Sequence, residues 1–340
     1  LSFLKPKTHW SEMIDIAYEP YLRRFGRPLQ TSGGEWAERR GFLLRFQAGE
    51  RVGYGEVAPL PEFGTERYEA AESFLKELVK NPERVAGGEL PCCAFALSAA
   101  RAQCFGGTRR ADRAYPVAGL LPAGEGAVGV LQNKIGAGYQ SFKWKVGVGS
   151  PAAEQAIFEA LVDGLPSGVR LRLDANGGWS REVLADWLEF LKPRRDRIEY
   201  VEQPLAPGGE AEMEAMRAKY GIEIGLDESL NGEAGAQWID RWEGVLVVKA
   251  PLMGEYGALV ERLRPLSKRV VLSSVFETGV GLLNSLALGD ALPEMNRALG
   301  FDTLHFSDGL EGRAEGAVIC ASEIAQMNPE SIWKRNSHSS

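Results

Sequence analysis

FKWKVG at residues 142–147, RLRLDANGGW at 170–179, IEYVEQPL at 198–205, IEIGLDESL at 222–230 and VLVVKA at 245–250 share one grammar. Each is an apolar run that ends on an acid or a lysine: Lys145, Asp174, Glu202, Asp227 and Lys249. Successive charged ends lie roughly 22 to 29 residues apart, the length of one strand, one helix and two short connections. Helical patterns fill the gaps, as in AAEQAIFEALVDGL, SREVLADWLEFLK, AEMEAMRAKYG and GALVERLRPLSK. Strand alternating with helix is the signature of a parallel sheet. Further strands near VAGLL, VVLSSV and TLHFS bring the expected count to eight, which favours a closed α/β barrel over an open doubly wound sheet. No Gly-rich phosphate loop follows the first strand, as the open alternative would require.

The region before Tyr115 reads differently. FLLRFQAGERVGYGEVAP alternates, turns at AGE and alternates again, predicting a hairpin. GTERYEAAESFLKELVK predicts a helix with Thr65 as its cap, and PCCAFALSAARAQCF a more buried one. GGTRRADRAYP separates this α+β part from the barrel, and a polar helical tail is expected from about residue 311.

Composition narrows the function. The chain has 340 residues, 44% of them apolar, and a net charge of −7, enough for a large core and without the basic stripe a nucleic-acid binder needs. The cluster Lys192, Arg194, Arg195 and Arg197 is interleaved with acids and reads as solvated surface. No apolar stretch is long enough to span a bilayer, and LSFLKPKTHW lacks signal-peptide layout. Cys92, Cys93, Cys104 and Cys320 lack zinc spacing and are expected as buried thiols in a reducing cytoplasm. Nothing in the pattern fixes an oligomeric state.

In a barrel, Asp174, Glu202 and Asp227 meet at the C-terminal mouth, where uncompensated carboxylates would raise each other's pKa. A hard divalent cation removes that repulsion, and an all-oxygen set selects Mg²⁺, with Mn²⁺ as a substitute. Capping of the following helices is the bland reading for any one of these acids, but three on successive strands count against it. Lys143 and Lys145 are two apart and share a face; Lys249 ends a strand roughly opposite. Crowded by the other cations, Lys145 is the amine expected to take a proton. A metal that holds a substrate carboxylate beside a lysine base suits removal of an α-proton. A small carboxylate is therefore the expected partner.

The Lys-x-Lys pair, the DAN motif with Trp179 after it, VEQP, DES and Lys249 resemble the muconate-lactonising subgroup of the enolase superfamily. GYGEVAPLPEFGTE is similar to the hairpin and loop of that family's capping domain. LPCCAFALSAA, FKWKVG, LRLDAN, LDESL and GFDTL are most like its o-succinylbenzoate synthase branch. The resemblance implies a (β/α)7β-type TIM-like barrel at 113–310, an N-terminal α+β cap at 1–112 and a C-terminal segment at 311–340 packing back on the cap. It makes Asp174, Glu202 and Asp227 the Mg²⁺ ligands and Lys145 the base, then the acid, of a syn dehydration yielding o-succinylbenzoate. Lys249 would stabilise the enediolate, and Lys143 would tune Lys145. Racemisation of N-acylamino acids or epimerisation of dipeptides uses the same first step and stays open as the alternative.

Around this centre, Arg172 shares a face with Asp174 and is a candidate substrate contact. Ser273, Ser274 and Glu277 in SSVFETG are candidates for the substrate's second carboxylate. PLQTSGGEW at 28–36 reads as a lid loop, with Thr31 and Ser32 reaching the ligand. Of the histidines, His9 and His338 lie near the ends, and His305 reads as a strand-filling residue. Asp308 stands where dipeptide epimerases carry a pair of acids; here the acid is single.

Overall fold

The computed structural model describes residues 14–31, 34–106, 113–303, 306, 308–313 and 315–337. An antiparallel meander comes first: β1 (Ile14–Thr31), β2 (Gly34–Ala48) and β3 (Arg51–Val57). The expected hairpin is present, with Ala48 paired to Arg51 and Gly49 at φ 60° supplying the positive φ of its two-residue turn. β1 and β2 stay paired out to Thr31 and Gly34. The expectation of a loop over 28–36 is thus corrected to paired strand at 29–31 and 34–36, because extended pairing satisfies backbone groups that a loop would leave to water.

Side chains alternate across the ribbon. Phe42, Leu44 and Phe46 pack beneath α1 (Tyr68–Lys80) and α2 (Pro91–Phe105), against Phe74, Leu75, Cys93 and Leu97. The other face, with Leu43, Tyr21 and Tyr54, meets Val280, Leu310 and Ile332 from later in the chain. Gly53 and Gly55 let β3 touch α2, since a Cβ at either would collide with the carbonyls of Ala100 and Ala96. Thr65 does not cap α1, whose N-cap is Arg67 without a side-chain bond; its hydroxyl accepts from Leu60 N at 2.7 Å and fixes the preceding loop. Cys92, Cys93 and Cys104 are buried, whereas Cys320 is half-buried.

After β4 (Tyr115–Pro116) the parallel sheet begins. Its strands, in spatial as in chain order, are β5 (Gly119–Leu121), β6 (Phe142–Lys145), β7 (Leu171–Asp174), β8 (Ile198–Glu202), β9 (Ile224–Leu226), β10 (Val245–Val248) and β11 (Val270–Leu272). Between them run α3 (Gly126–Gly136), α4 (Pro151–Gly164), α5 (Arg181–Leu191), α6 (Glu210–Tyr220), α7 (Gly232–Arg241) and α8 (Tyr256–Leu263); α9 (Gly279–Asp290) follows β11. The sheet curls and is closed by a short segment. Gly300 N donates to Leu272 O on one side, and Leu299 N donates to Pro116 O on the other. The eighth contribution therefore comes from Leu299 and Gly300, a few residues before the expected TLHFS; Leu304, His305 and Ser307 lie outside the described residues.

On β6, Phe142 and Trp144 are fully buried among the surrounding helices, and Lys143 and Lys145 take the alternate face. The tail holds β12 (Val318–Ile319), antiparallel to β4, then α10 (Ala321–Gln326) and α11 (Pro329–Ser337). α11 reaches the ribbon: the Tyr54 hydroxyl donates to Glu330, and Asn336 Nδ2 donates to Pro20 O at 3.0 Å. No described helix is long and apolar enough to cross a membrane.

Candidate active site

Parallel register sets the geometry. Lys145 pairs with Asp174, Asp174 with Glu202, and Glu202 with Gly225, two residues before Asp227. The charged ends therefore gather at the C-terminal mouth, the face on which parallel barrels place their chemistry. They surround a cavity of about 410 Å³ whose lining includes Lys143, Lys145, Asp174, Asp227 and Lys249. Glu202, 1% exposed, is not part of that lining. Lys143 Nζ lies 2.8 Å from Asp174 Oδ2 and 2.9 Å from Glu202 Oε1. Lys249 Nζ holds the Asp227 carboxylate and stands 4.7 Å from the centre of the Phe63 ring, which descends from the cap.

The loops beyond the strands are held under strain. Asn176, Gln203 and Phe276 all have positive φ, at 44°, 35° and 62°, costing roughly 1–3 kcal/mol each. Gln203 shows what holds them. Its Oε1 accepts from Asp227 N and Ser229 N, and its Nε2 donates to Leu205 O and Ser229 Oγ. The glutamine of VEQP thereby locks the loop after β8 to the loop after β9.

Burial raises the Glu202 carboxyl to about 7, with the Asp174 charge adding to the effect. Burial likewise lifts Asp227 to about 6, although Lys249 opposes it. Asp174 goes the other way: burial would raise it, but Lys143, with Lys249 and Lys145, outweighs burial and holds it below the usual range. Lys143 is itself lifted well above an ordinary lysine, because Asp174, Glu202 and Asp227 together outweigh its burial.

Beside the strand ends, the buried oxygens Glu202 Oε2 and Glu228 Oε2 have no hydrogen-bond partner among the described residues. Among the described residues no three His, Cys, Asp or Glu side chains already form a metal-holding group. Lys143 pairs with Asp174 and Glu202, and Lys249 with Asp227. Yet the orphaned oxygen, the raised carboxyls and the all-oxygen donors are what a hard divalent cation would relieve, so the residues present fit one.

Ser273 and Ser274 line the cavity. Ser274 Oγ donates to Glu277 Oε2 at 2.8 Å and accepts from Phe276 N at 2.9 Å. Glu277 itself borders a separate pocket of about 20 Å³ behind that wall. Arg172 does not reach the cavity. Its guanidinium is buried, with Nε 2.7 Å from Glu199 Oε2 and Nη1 donating to Ala298 O at 2.9 Å. An inward-facing arginine one pleat below the mouth meets the strand beside it before it can meet a ligand. Thr31 ends β1, and Ser32 lies outside the described residues. Asp308 binds Arg23 Nε at 2.8 Å.

Sequence reasoning missed several wall residues. Asn176 Nδ2 donates to Glu228 Oε1 at 3.3 Å, and both border the cavity. Their places in DAN and DES were the available signal. Asp302, also in the wall, accepts from Leu120 N, Lys134 Nζ and Tyr139 Oη. Leu60 and Phe63 come from the cap loop APLPEF.

Residues 129–253 match the family model for the enolase C-terminal domain-like fold, and residues 31–104 match the MenC N-terminal domain. An o-succinylbenzoate synthase of Thermosynechococcus vestitus is 38% identical over 270 residues, covering 76% of this chain and 84% of the relative. One from Yersinia enterocolitica is 32% identical over 291 residues, covering 78% and 83%. The solved o-succinylbenzoate synthase of Thermosynechococcus elongatus BP-1, complexed with Mg in its active site, superposes with a TM-score of 0.79 at 32% identity, over 94% of this chain and 99% of that one. The Bacillus subtilis L-Ala-D/L-Glu epimerase, at 19% identity and a TM-score of 0.75 over 91% and 96%, shares the fold.

Proposed function

Because the chain belongs to the o-succinylbenzoate synthase family of the enolase superfamily, we propose that it converts 2-succinyl-6-hydroxy-2,4-cyclohexadiene-1-carboxylate to o-succinylbenzoate by syn loss of water. The observation that carries this reading is the 38% identity over most of the chain. The lysines around one cavity suit the chemistry. The product is a precursor of menaquinone or phylloquinone, and the place of action is the cytoplasm.

Asp174, Glu202 and Asp227 would hold Mg²⁺, with Mn²⁺ as a substitute. When bound, the ion supplies the charge that offsets the second negative charge developing on a substrate carboxylate, the known pattern of enolase-superfamily sites. Lys145 takes the proton from the carbon beside that carboxylate. The same amine then gives its proton to the departing hydroxyl, so water leaves, the ring becomes aromatic and the lysine returns neutral. Lys249, on the other side of the cavity, presents an ammonium to the enediolate and to the ring face. Lys143 lies between two of the carboxylates and keeps their charges from repelling. Ser273 offers its hydroxyl to the succinyl end, beside Ser274, whose own proton goes to Glu277. We assign 1–112 to the cap, 113–310 to the barrel and 311–340 to the segment that completes the cap.

The test is incubation of purified protein and Mg²⁺ with the cyclohexadiene acid, following o-succinylbenzoate by absorbance. No product above the uncatalysed rate would overturn the assignment. Racemisation of N-succinyl amino acids without dehydration would replace it with the alternative reaction. Glu202→Gln should weaken Mg²⁺ binding in a calorimetric titration, and unchanged affinity would remove Glu202 from the ligand set.

A further inference from the structure

Four successive residues of the wall after β11 are held through their backbones by charged side chains of the N-terminal ribbon. Val275 O accepts from Arg39 Nε at 2.9 Å. Phe276 O and Glu277 O accept from Arg23 Nη1 at 3.2 and 2.7 Å. Thr278 N donates to Glu56 at 2.9 Å, and Gly281 N, in the first turn of α9, donates to the same carboxylate at 2.9 Å. Arg23, Arg39 and Glu56 are all buried, at 1%, 3% and 0% exposure.

Arg39 does more than hold one wall. Its Nη1 donates to Pro59 O at 2.7 Å and its Nη2 to Ala58 O at 2.6 Å. Those carbonyls begin the cap loop that brings Leu60 and Phe63 into the cavity. One planar guanidinium therefore spans two walls: the cap loop beside Lys249 and the barrel loop carrying Ser274, Val275 and Phe276. Its rigid fork of donors suits this, because each carbonyl is fixed in direction as well as distance. Phe276 holds its positive φ between the Arg39 and Arg23 contacts, where the surroundings over-determine it.

We infer that Arg39, with Arg23 and Glu56, is a positioning residue that fixes the distance between the two cavity walls and so sets how tightly substrate is held. The link to substrate rests on the proposed dehydratase reading; the clamp itself rests on the geometry alone. The Arg39 hydrogen bonds go to the backbone carbonyls of Val275, Arg40, Pro59 and Ala58, in the walls rather than at the strand ends, so the clamp should act on binding more than on the chemical step.

The experiment compares wild type with Arg39→Lys and, as a second variant on the same barrel wall, with Glu56→Gln, which turns one accepting oxygen of the carboxylate into a donor. An ammonium can serve one wall but not both. Expected is a rise in KM of about tenfold with kcat within about threefold. Amide hydrogen exchange at 60, 62, 63 and 274–278 should quicken in Arg39→Lys, and at 274–278 in Glu56→Gln, while the strand amides of β7 to β9 and the Mg²⁺ affinity stay unchanged. Added guanidinium should restore the KM of Arg39→Ala. A folded Arg39→Lys or Glu56→Gln protein with wild-type KM, or with both loops as protected as before, overturns the inference. Should wild type itself fail to turn over the cyclohexadiene acid, the dehydratase reading falls, and the exchange measurement alone decides whether the clamp exists.

Discussion

At the scale of single residues, Lys145 and Glu277 carry the sharpest expectations. Lys145 projects into the cavity from the end of β6, one strand from Asp174, and is not part of the apolar core. Lys145→Met should therefore lower o-succinylbenzoate formation by about a hundred- to ten-thousand-fold while Mg²⁺ affinity and melting temperature hold. Near-wild-type turnover would remove Lys145 as the base. Glu277 makes a different statement. Burial, helped by the nearby Glu56 charge, lifts its carboxyl from an ordinary 4.5 to about 7. Between those values the folded chain keeps a proton that the unfolded chain has released, so this group makes stability fall as pH rises across that window and then level off. At 1.36 kcal/mol per unit, the gap corresponds to about 3 kcal/mol. Glu277→Gln, a neutral isostere, should lose this decline. Urea unfolding at pH 5 and pH 7.5 measures it, and parallel pH dependence in the two proteins would refute it.

Elements show why some of the site was legible and some was not. Five of the strands were readable because their apolar runs end on a charged residue at an even pitch, and parallel register then brings Lys145, Asp174 and Glu202 side by side with no further information. The hairpin at Gly49 and the buried helix α2 were readable from local chemistry for the same reason. Contacts made across hundreds of residues were not. The Arg39, Arg23 and Glu56 bonds to the loop after β11 join positions more than 220 apart, and no local pattern marks them. Arg172 is the instructive case. Alternation correctly turned it inward, but alternation says nothing of depth, and one pleat below the mouth its partner is Glu199. Through Ala298 O it also ties β7 to the segment that closes the barrel. Arg172→Met should accordingly leave KM for the cyclohexadiene acid unchanged and cost about 3 kcal/mol of stability, the low end for a broken buried pair, since Arg297 still holds Glu199. A raised KM with unaltered stability would return Arg172 to the substrate.

Across the whole molecule, cap and barrel are separate in composition yet share a boundary. The cap core takes in Leu252 and Val275 from the barrel, and Val280 and Ile332 pack on the ribbon's other face. The carboxylates sit on three consecutive strands of the barrel, under walls supplied by the cap, so a bound ion couples to the folding of both. Binding to the folded chain alone stabilises it by about 2.7 kcal/mol at one hundred times Kd. Mg²⁺ should therefore raise Tm by several degrees in a single transition, reversed by EDTA and much reduced in Glu202→Gln. Scanning calorimetry with and without the ion tests this. Two resolved transitions, of which Mg²⁺ moves only one, would show that the cap unfolds independently and that its buried contacts with the barrel do not join them into one cooperative unit.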